Sequence, residues 1–176
     1  MSVLDELSVR GLADAGTRPT TYSFYITVVA IAVSVVAVAP PTAVSLPTVF
    51  SGAVILGAAA RYGNRVWLSR GYGVMLVGGL MHGAMGGSIF STVGSVIAAT
   101  VAWDVAENGI GIAEQLGTQA PARRAELVHA GAVIVTGLIA AAATTLVMFV
   151  FANNQPLPAL VLLLIGLVFV LASVRQ

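Results

Sequence analysis

The chain contains neither cysteine nor lysine. Without cysteine there are no disulfides, no thiolate metal sites and no cysteine nucleophile. Without lysine no Schiff base can form, which excludes a retinal pigment, a pyridoxal enzyme and a class I aldolase. Charge is scarce too: 9% of the 176 residues are charged, where a soluble domain carries about 25%. The net charge of +1 offers no general electrostatic surface for nucleic acid. A Walker loop, a dinucleotide fingerprint, a nucleophile elbow and a zincin helix are all missing. What fills the chain is apolar. At 58% hydrophobic it exceeds what one small water-soluble core can hide, so the expected solvent is lipid.

The arginines fall into four groups, Arg10/Arg18, Arg61/Arg65/Arg70, Arg123/Arg124 and Arg175, separated by largely hydrophobic stretches. Each intervening stretch is long enough to cross a bilayer twice. Pro40-Pro41 ends a first span and Arg61 a second. Gly71–Trp103 has no Asp, Glu or Arg; as one helix it would run about 50 Å against a hydrocarbon core of about 30 Å. It therefore splits into two, with Gly83, Gly86 and Gly87 at the break. The expected fold is an all-α, polytopic membrane protein with six transmembrane helices as three hairpins. The spans fall at about 22–39, 43–60, 67–84, 88–103, 127–151 and 157–174, after a tail of about residues 1–21. That tail carries Asp5, Glu6, Arg10, Asp14 and Arg18 and does not read as a cleaved signal. The positive-inside rule then places both termini, Arg65 and Gly117 in the cytoplasm, and Met85 and Asn153 outside. Tyr22, Tyr25, Tyr62, Trp67, Tyr72 and Trp103 all fall at predicted inner boundaries, where amphipathic rings are favoured. The expected location is the plasma membrane, multi-pass.

The chemistry-bearing residues gather at that inner face. The fourth span runs on past Trp103, and Asp104, Glu107, Asn108, Gly111, Glu114 and Gln115 share one helical face. The bland reading is a solvated stripe. The functional one is a docking surface of Trp103, Asp104, Glu107, Asn108, Glu114 and Gln115. Arg61, Arg65 and Arg70 put +3 on one inner connection, while residues 104–129 sum to −2. Asp104 and Glu107 are therefore expected to face one of those arginines in an ion network, at about 3–5 kcal/mol when one half-buried partner is removed. Lipid phosphate is the alternative ligand for Arg61, Arg65, Arg70, Arg123 and Arg124, because guanidinium forks fit phosphate.

Glu126-x-x-His129 enters the fifth span as Asp104-x-x-Glu107 leaves the fourth. Carboxylate and imidazole on facing helices are metal-ligand chemistry. With one histidine at that depth, however, Glu126 and His129 are weaker candidates than two packing residues, and no cofactor is expected. Gly79-x-x-x-Gly83-x-x-x-Gly87 is a glycine zipper that lets helix backbones approach in lipid; its partner is a helix of the same chain or of a second copy. His82 lies beside it, a packing residue or, as an intramembrane ionisable group, a functional one.

Ala102-Trp103-Asp104-Val105-Ala106-Glu107-Asn108, with Glu114-Gln115-Leu116-Gly117 and Ala125-Glu126-Leu127-Val128-His129-Ala130, resembles an uncharacterised family of small multi-span haloarchaeal membrane proteins. The resemblance is concentrated in residues 102–130. Members of that family look like neighbours of MoxR-type ATPases and transglutaminase-like membrane proteins. The resemblance implies a role in assembling or supporting a membrane complex and brings no catalytic residue. The expectation is a non-enzymatic membrane scaffold or accessory subunit that docks a protein partner through its cytoplasmic face. The alternatives are a small-solute or ion transporter using His82, and a metal-assisted membrane enzyme. The expected partners are membrane lipids and a protein of a membrane complex, with no nucleic acid; a homo-oligomer is compatible.

Overall fold

The computed structural model describes residues 19–39, 44–116 and 123–151, with side chains in the last helix as far as Leu146. Among these residues the protein is all-helical. Five helices follow in order: α1 (Thr21–Ala37), α2 (Ser45–Tyr62), α3 (Arg65–Ala84), α4 (Ile89–Leu116) and α5 (Arg123–Phe151). The sixth predicted span, the Asn153–Pro156 turn, the N-terminal tail, Pro40-Pro41 and Gly117 lie outside the described residues. The chain divides into two compact units, Met1–Leu138 and Ile139–Gln176. The second contributes only the last turns of α5 to the described residues.

Among the described residues two helices are long and apolar enough to cross a membrane, Ile89–Leu116 and Arg123–Leu146; Thr21–Ala37 is apolar but shorter. Six were expected. α2 and α3 fall short of the apolar criterion because glycine, alanine and arginine replace larger apolar residues along them.

Local chemistry sets the helix ends. Gly63 closes α2 in the left-handed region (φ 68°), its N–H reaching Ala59 and Ala60 carbonyls, as glycine does after a helix. Asn64 then caps α3, its side chain accepting from Trp67 N at 3.2 Å. Two residues thus suffice to reverse the chain. At the far end of α3, Gly86 (φ 89°) makes the break expected between the third and fourth spans, and Ser88 caps α4 by accepting from Ser91 N at 3.1 Å. α4 continues without interruption from Ile89 to Leu116, so the polar continuation beyond Trp103 is helical as expected.

α2 packs on α3, and α4 packs against both α1 and α3. The α2–α3 seam is made by missing side chains. A Cβ at Gly71 would meet Leu56 N at 2.5 Å, one at Gly52 would meet Met75 N at 2.6 Å, and one at Gly78 would meet Val49 N at 2.7 Å. Each blocking atom is backbone, so the two helices touch main chain to main chain. Val49, Leu56, Leu68 and Met75 are fully buried there. α1 presents a narrower stripe of small residues, with Ser23, Thr27, Ala30 and Ser34 buried. Ser34 Oγ donates to the Ser95 carbonyl of α4 at 2.9 Å. Outside these seams the surface is apolar: Val29, Val36, Phe50, Leu80, Phe90 and Leu138 are all exposed.

The expected zipper is corrected in part. Gly79 faces Ser95 and Gly83 faces Thr92, both on α4 of the same chain. Gly87 lies beyond α3 in the turn, against the His82 ring, and is no part of the helix interface. The closest backbone approach belongs to Gly52, Gly71 and Gly78.

Candidate polar site at the charged end

Hydrogen bonds and ion pairs join the N-terminal ends of α3 and α5 to the C-terminal half of α4, and the N-terminal end of α1 to that of α5. Among the described residues every Asp, Glu and Arg lies at this end of the bundle or within two turns of it. Beyond Trp103 one face of α4 stays packed through Val105, Ala106, Gly109, Ile110 and Ala113, which turns the acidic stripe outward. A hollow of about 380 Å³ opens there. On α4 it is lined by Trp103, Asp104, Glu107, Asn108, Gly111 and Gln115; Arg65 of α3 borders one side and His129 of α5 the other. Five of the six residues expected to form the docking surface are thus brought together. The sixth, Glu114, stands just outside on Arg65.

Arg65 is the hub of the ion network. Its Nη1 donates to Glu107 Oε1 at 3.3 Å and its Nη2 to Glu114 Oε2 at 2.8 Å. The Glu114 hydrogen bond, outweighing a small desolvation and helped by both carboxylate charges, raises the guanidinium pKa above its ordinary value. A raised base contributes stability below its unfolded pKa and loses it only as pH climbs past the folded one, so Arg65 holds its charge across the range in which proteins are handled. Both partners are well exposed, Arg65 at 41% and Glu107 at 35% of side-chain surface. A screened pair of that kind contributes about 0–1 kcal/mol, not the cost expected for a half-buried one.

Asp104 departs from expectation. Among the described residues it pairs with no arginine; His129 Nε2 donates to its Oδ2 at 2.7 Å. A carboxylate on one ring nitrogen fixes the tautomer and leaves the other nitrogen as an acceptor. Trp103 stacks on Tyr72 of α3, centroids 5.0 Å apart and planes 12° apart, and Tyr72 in turn shares a hydrogen bond with Thr100 at 3.2 Å. Among the described residues the buried indole Nε1–H has no acceptor. The wall of the hollow therefore holds an oriented imidazole and a rigid aromatic pair.

Glu126 leaves the expected Glu-x-x-His partnership. It is 3% exposed and points to α1, where its Oε2 accepts from Ser23 N at 3.1 Å and Ser23 Oγ at 3.2 Å. α1 needs that acceptor, because Thr20 at its start makes no side-chain cap. The carboxylate caps α1 from another helix and sits where the helix dipole favours negative charge. Gly109 of α4 lets Ser23 approach at the same level. Nothing in the sequence signalled this role, because Thr20 is itself a residue type favoured as a helix cap. Among the described residues no group of three or more His, Asp and Glu gathers to hold a metal.

The other arginines are placed differently. Arg70 lies over the Trp67 ring at 4.8 Å and Arg123 over Tyr22 at 5.0 Å; Arg61, Arg70, Arg123 and Arg124 form no ion pair among the described residues. At the opposite end of the bundle His82 is buried, 1% exposed. Its Nε2 shares a hydrogen bond with Ser91 at 2.9 Å, and its Nδ1 lies 3.5 Å from Ser45 Oγ. Ser91 was not expected beside a histidine; the reversal at Gly86 brings it there.

An all-helical bundle with a polar hollow at one end defines a fold class and no chemistry. Over residues 17–171 the chain belongs to DUF7519, a family of unknown function. No curated protein and no solved structure gives a significant match.

Proposed function

We propose that the protein is a six-span plasma-membrane scaffold or accessory subunit of a membrane complex, with both termini cytoplasmic, which docks a protein partner through its cytoplasmic end. That its relatives are multi-span haloarchaeal proteins belongs to the same proposal. The observation that carries it is the hollow over the last turns of α4, where Trp103, Asp104, Asn108 and Gln115 converge on the open face of the helix. A ring of exposed valine, leucine and phenylalanine around the helices supports lipid as the solvent. In this reading Asn108 and Gln115 supply adaptable hydrogen bonds, Trp103 supplies a rigid aromatic wall, and the Asp104–His129 pair presents an oriented polar edge.

The test follows from which groups are already committed. Glu107 and Glu114 hold Arg65, so changing them disturbs the fold of the site as well as its surface. Asn108→Ala with Gln115→Ala leaves the ion pairs intact. That double variant should melt like the parent in detergent and lose a partner that co-purifies with the parent. Retained co-purification sinks the docking proposal. Solute flux in liposomes that is abolished by His82→Ala supports a transporter instead. A stoichiometric transition metal lost on His129→Ala supports an enzyme.

A further inference from the structure

We infer that Arg123 and Arg124 form a binding site for the phosphate of an anionic phospholipid, with one acyl chain lying along the exposed face of α5. This rests on the membrane reading above and adds a ligand to it.

The five arginines offered by the sequence are not equivalent in the folded chain. Arg65 is occupied by Glu107 and Glu114. Arg70 is stacked on Trp67 two turns inside α3. Arg123 and Arg124 open side by side into a hollow of about 520 Å³, whose other walls are Leu127 and Val128. Two guanidinium groups above two apolar side chains match the boundary between a lipid headgroup and its tail.

Among the described residues no carboxylate pairs with either arginine. Asp104 is taken by His129, Glu107 and Glu114 by Arg65, and Glu126 by Ser23. The Tyr22 ring holds the Arg123 plane from one face, which leaves the N–H edge for an oxyanion. A phosphate can then take a fork from each arginine.

Below the arginines the same side of α5 continues as Gly131, Ile134, Val135 and Leu138. All four are exposed, and at 100° per residue they follow Leu127 and Val128 down one face. A Cβ at Gly131 would meet nothing within 4 Å, so the row has an open step one turn below the hollow. A saturated chain fits such a row; a soluble phosphate compound makes no use of it.

The experiment is native mass spectrometry of the full chain in detergent micelles doped with phosphatidylglycerol or phosphatidylcholine. The parent should retain phosphatidylglycerol in preference. Arg123→Gln with Arg124→Gln should weaken that retention roughly thirtyfold, the expected sum for two interfacial arginines, and the double lysine variant should recover most of it. Arg61→Gln should leave it unchanged. Should the glutamine pair fail to fold, Gly131→Leu remains, expected to lower retention several-fold without lowering the melting temperature. Equal retention of the two lipids, or an equal loss in Arg61→Gln, overturns the site. Inorganic phosphate that displaces phosphatidylglycerol at comparable concentration overturns the lipid assignment. Any of these failures leaves the docking proposal standing, because Asn108 and Gln115 take no part in the lipid site.

Discussion

Two kinds of helix contact coexist in this small bundle. The α2–α3 seam is dry and built from shape: Gly52, Gly71 and Gly78 remove side chains so that backbones meet, and the polar contact nearest to it is the long one between Ser45 and His82. α4 meets its neighbours through polar groups instead. Ser95 meets Ser34, Ser91 meets His82, Thr100 meets Tyr72, Asp104 meets His129 and Glu107 meets Arg65. In lipid, apolar surface alone gives helices no reason to associate, and these are the two available remedies. They differ in tolerance. A backbone seam has no slack, whereas hydrogen bonds can be lost one at a time. The candidate site lies on the tolerant seam, where side chains change without moving a helix.

Gly71→Ala should have the largest effect. Its methyl group would press on Leu56 N and Cα, and neither can rotate away. A loss of about 3 kcal/mol, or failure to fold, is expected. Thermal melting in detergent checks it, with Gly73→Ala as the control, since a Cβ there meets nothing within 4 Å. If both variants melt together, the backbone contact between α2 and α3 does not exist.

Glu126→Ala comes next. It strips the cap from α1 and leaves Ser23 N–H buried and unpaired, at about 2 kcal/mol. Glu126→Gln keeps an acceptor and should recover roughly half of that. Hydrogen exchange in the first turn of α1 should rise in the alanine variant and hardly at all in the glutamine one; a uniform rise along α1 would argue against capping.

Asp104→Ala should be milder, about 1 kcal/mol, because both it and His129 are about one-third exposed. Its clearer signature is the His129 ring. In nitrogen-15 spectra the parent should show one tautomer, with the proton on Nε2, and the variant a mixture. One spectrum for both would mean that the carboxylate does not orient the ring.

Arg65→Ala should be smallest, under about 1 kcal/mol despite its two ion pairs, and the difference should shrink further as salt is raised. An effect as large as that of Gly71→Ala would erase the contrast between the two seams.

The two designs also differ in how readable they are. The glycines invited a zipper at every fourth residue, and Gly79 and Gly83 do face α4. Yet the tightest contacts with another helix's backbone fall at Gly52, Gly71 and Gly78, on a seam whose spacing is unremarkable in the sequence, because close approach depends on which face of the neighbouring helix is presented. The acidic stripe from Asp104 to Gln115 was legible, since periodicity fixes which residues share a face of a continuous helix. The partners of that stripe were only half legible. Charge balance set both Glu107 and Asp104 against Arg61, Arg65 or Arg70, and helical spacing put Glu126 with His129 as a weak metal candidate. How α4, α5 and α1 are rotated against one another decides otherwise, and one-dimensional spacing carries no information about that.

By itself the sequence determined that the protein is helical, where α3 gives way to α4, and which residues share the polar face of α4, because each follows from local periodicity, chain-breaking glycines and the length an apolar helix can run. Only the tertiary structure decided that Glu126 caps α1, that Asp104 orients His129, that Ser91 meets His82, and that Arg123 and Arg124 open together onto an apolar hollow. Those are facts of helix rotation and offset. They are set by where backbones can touch, and that is settled only when all the helices pack at once.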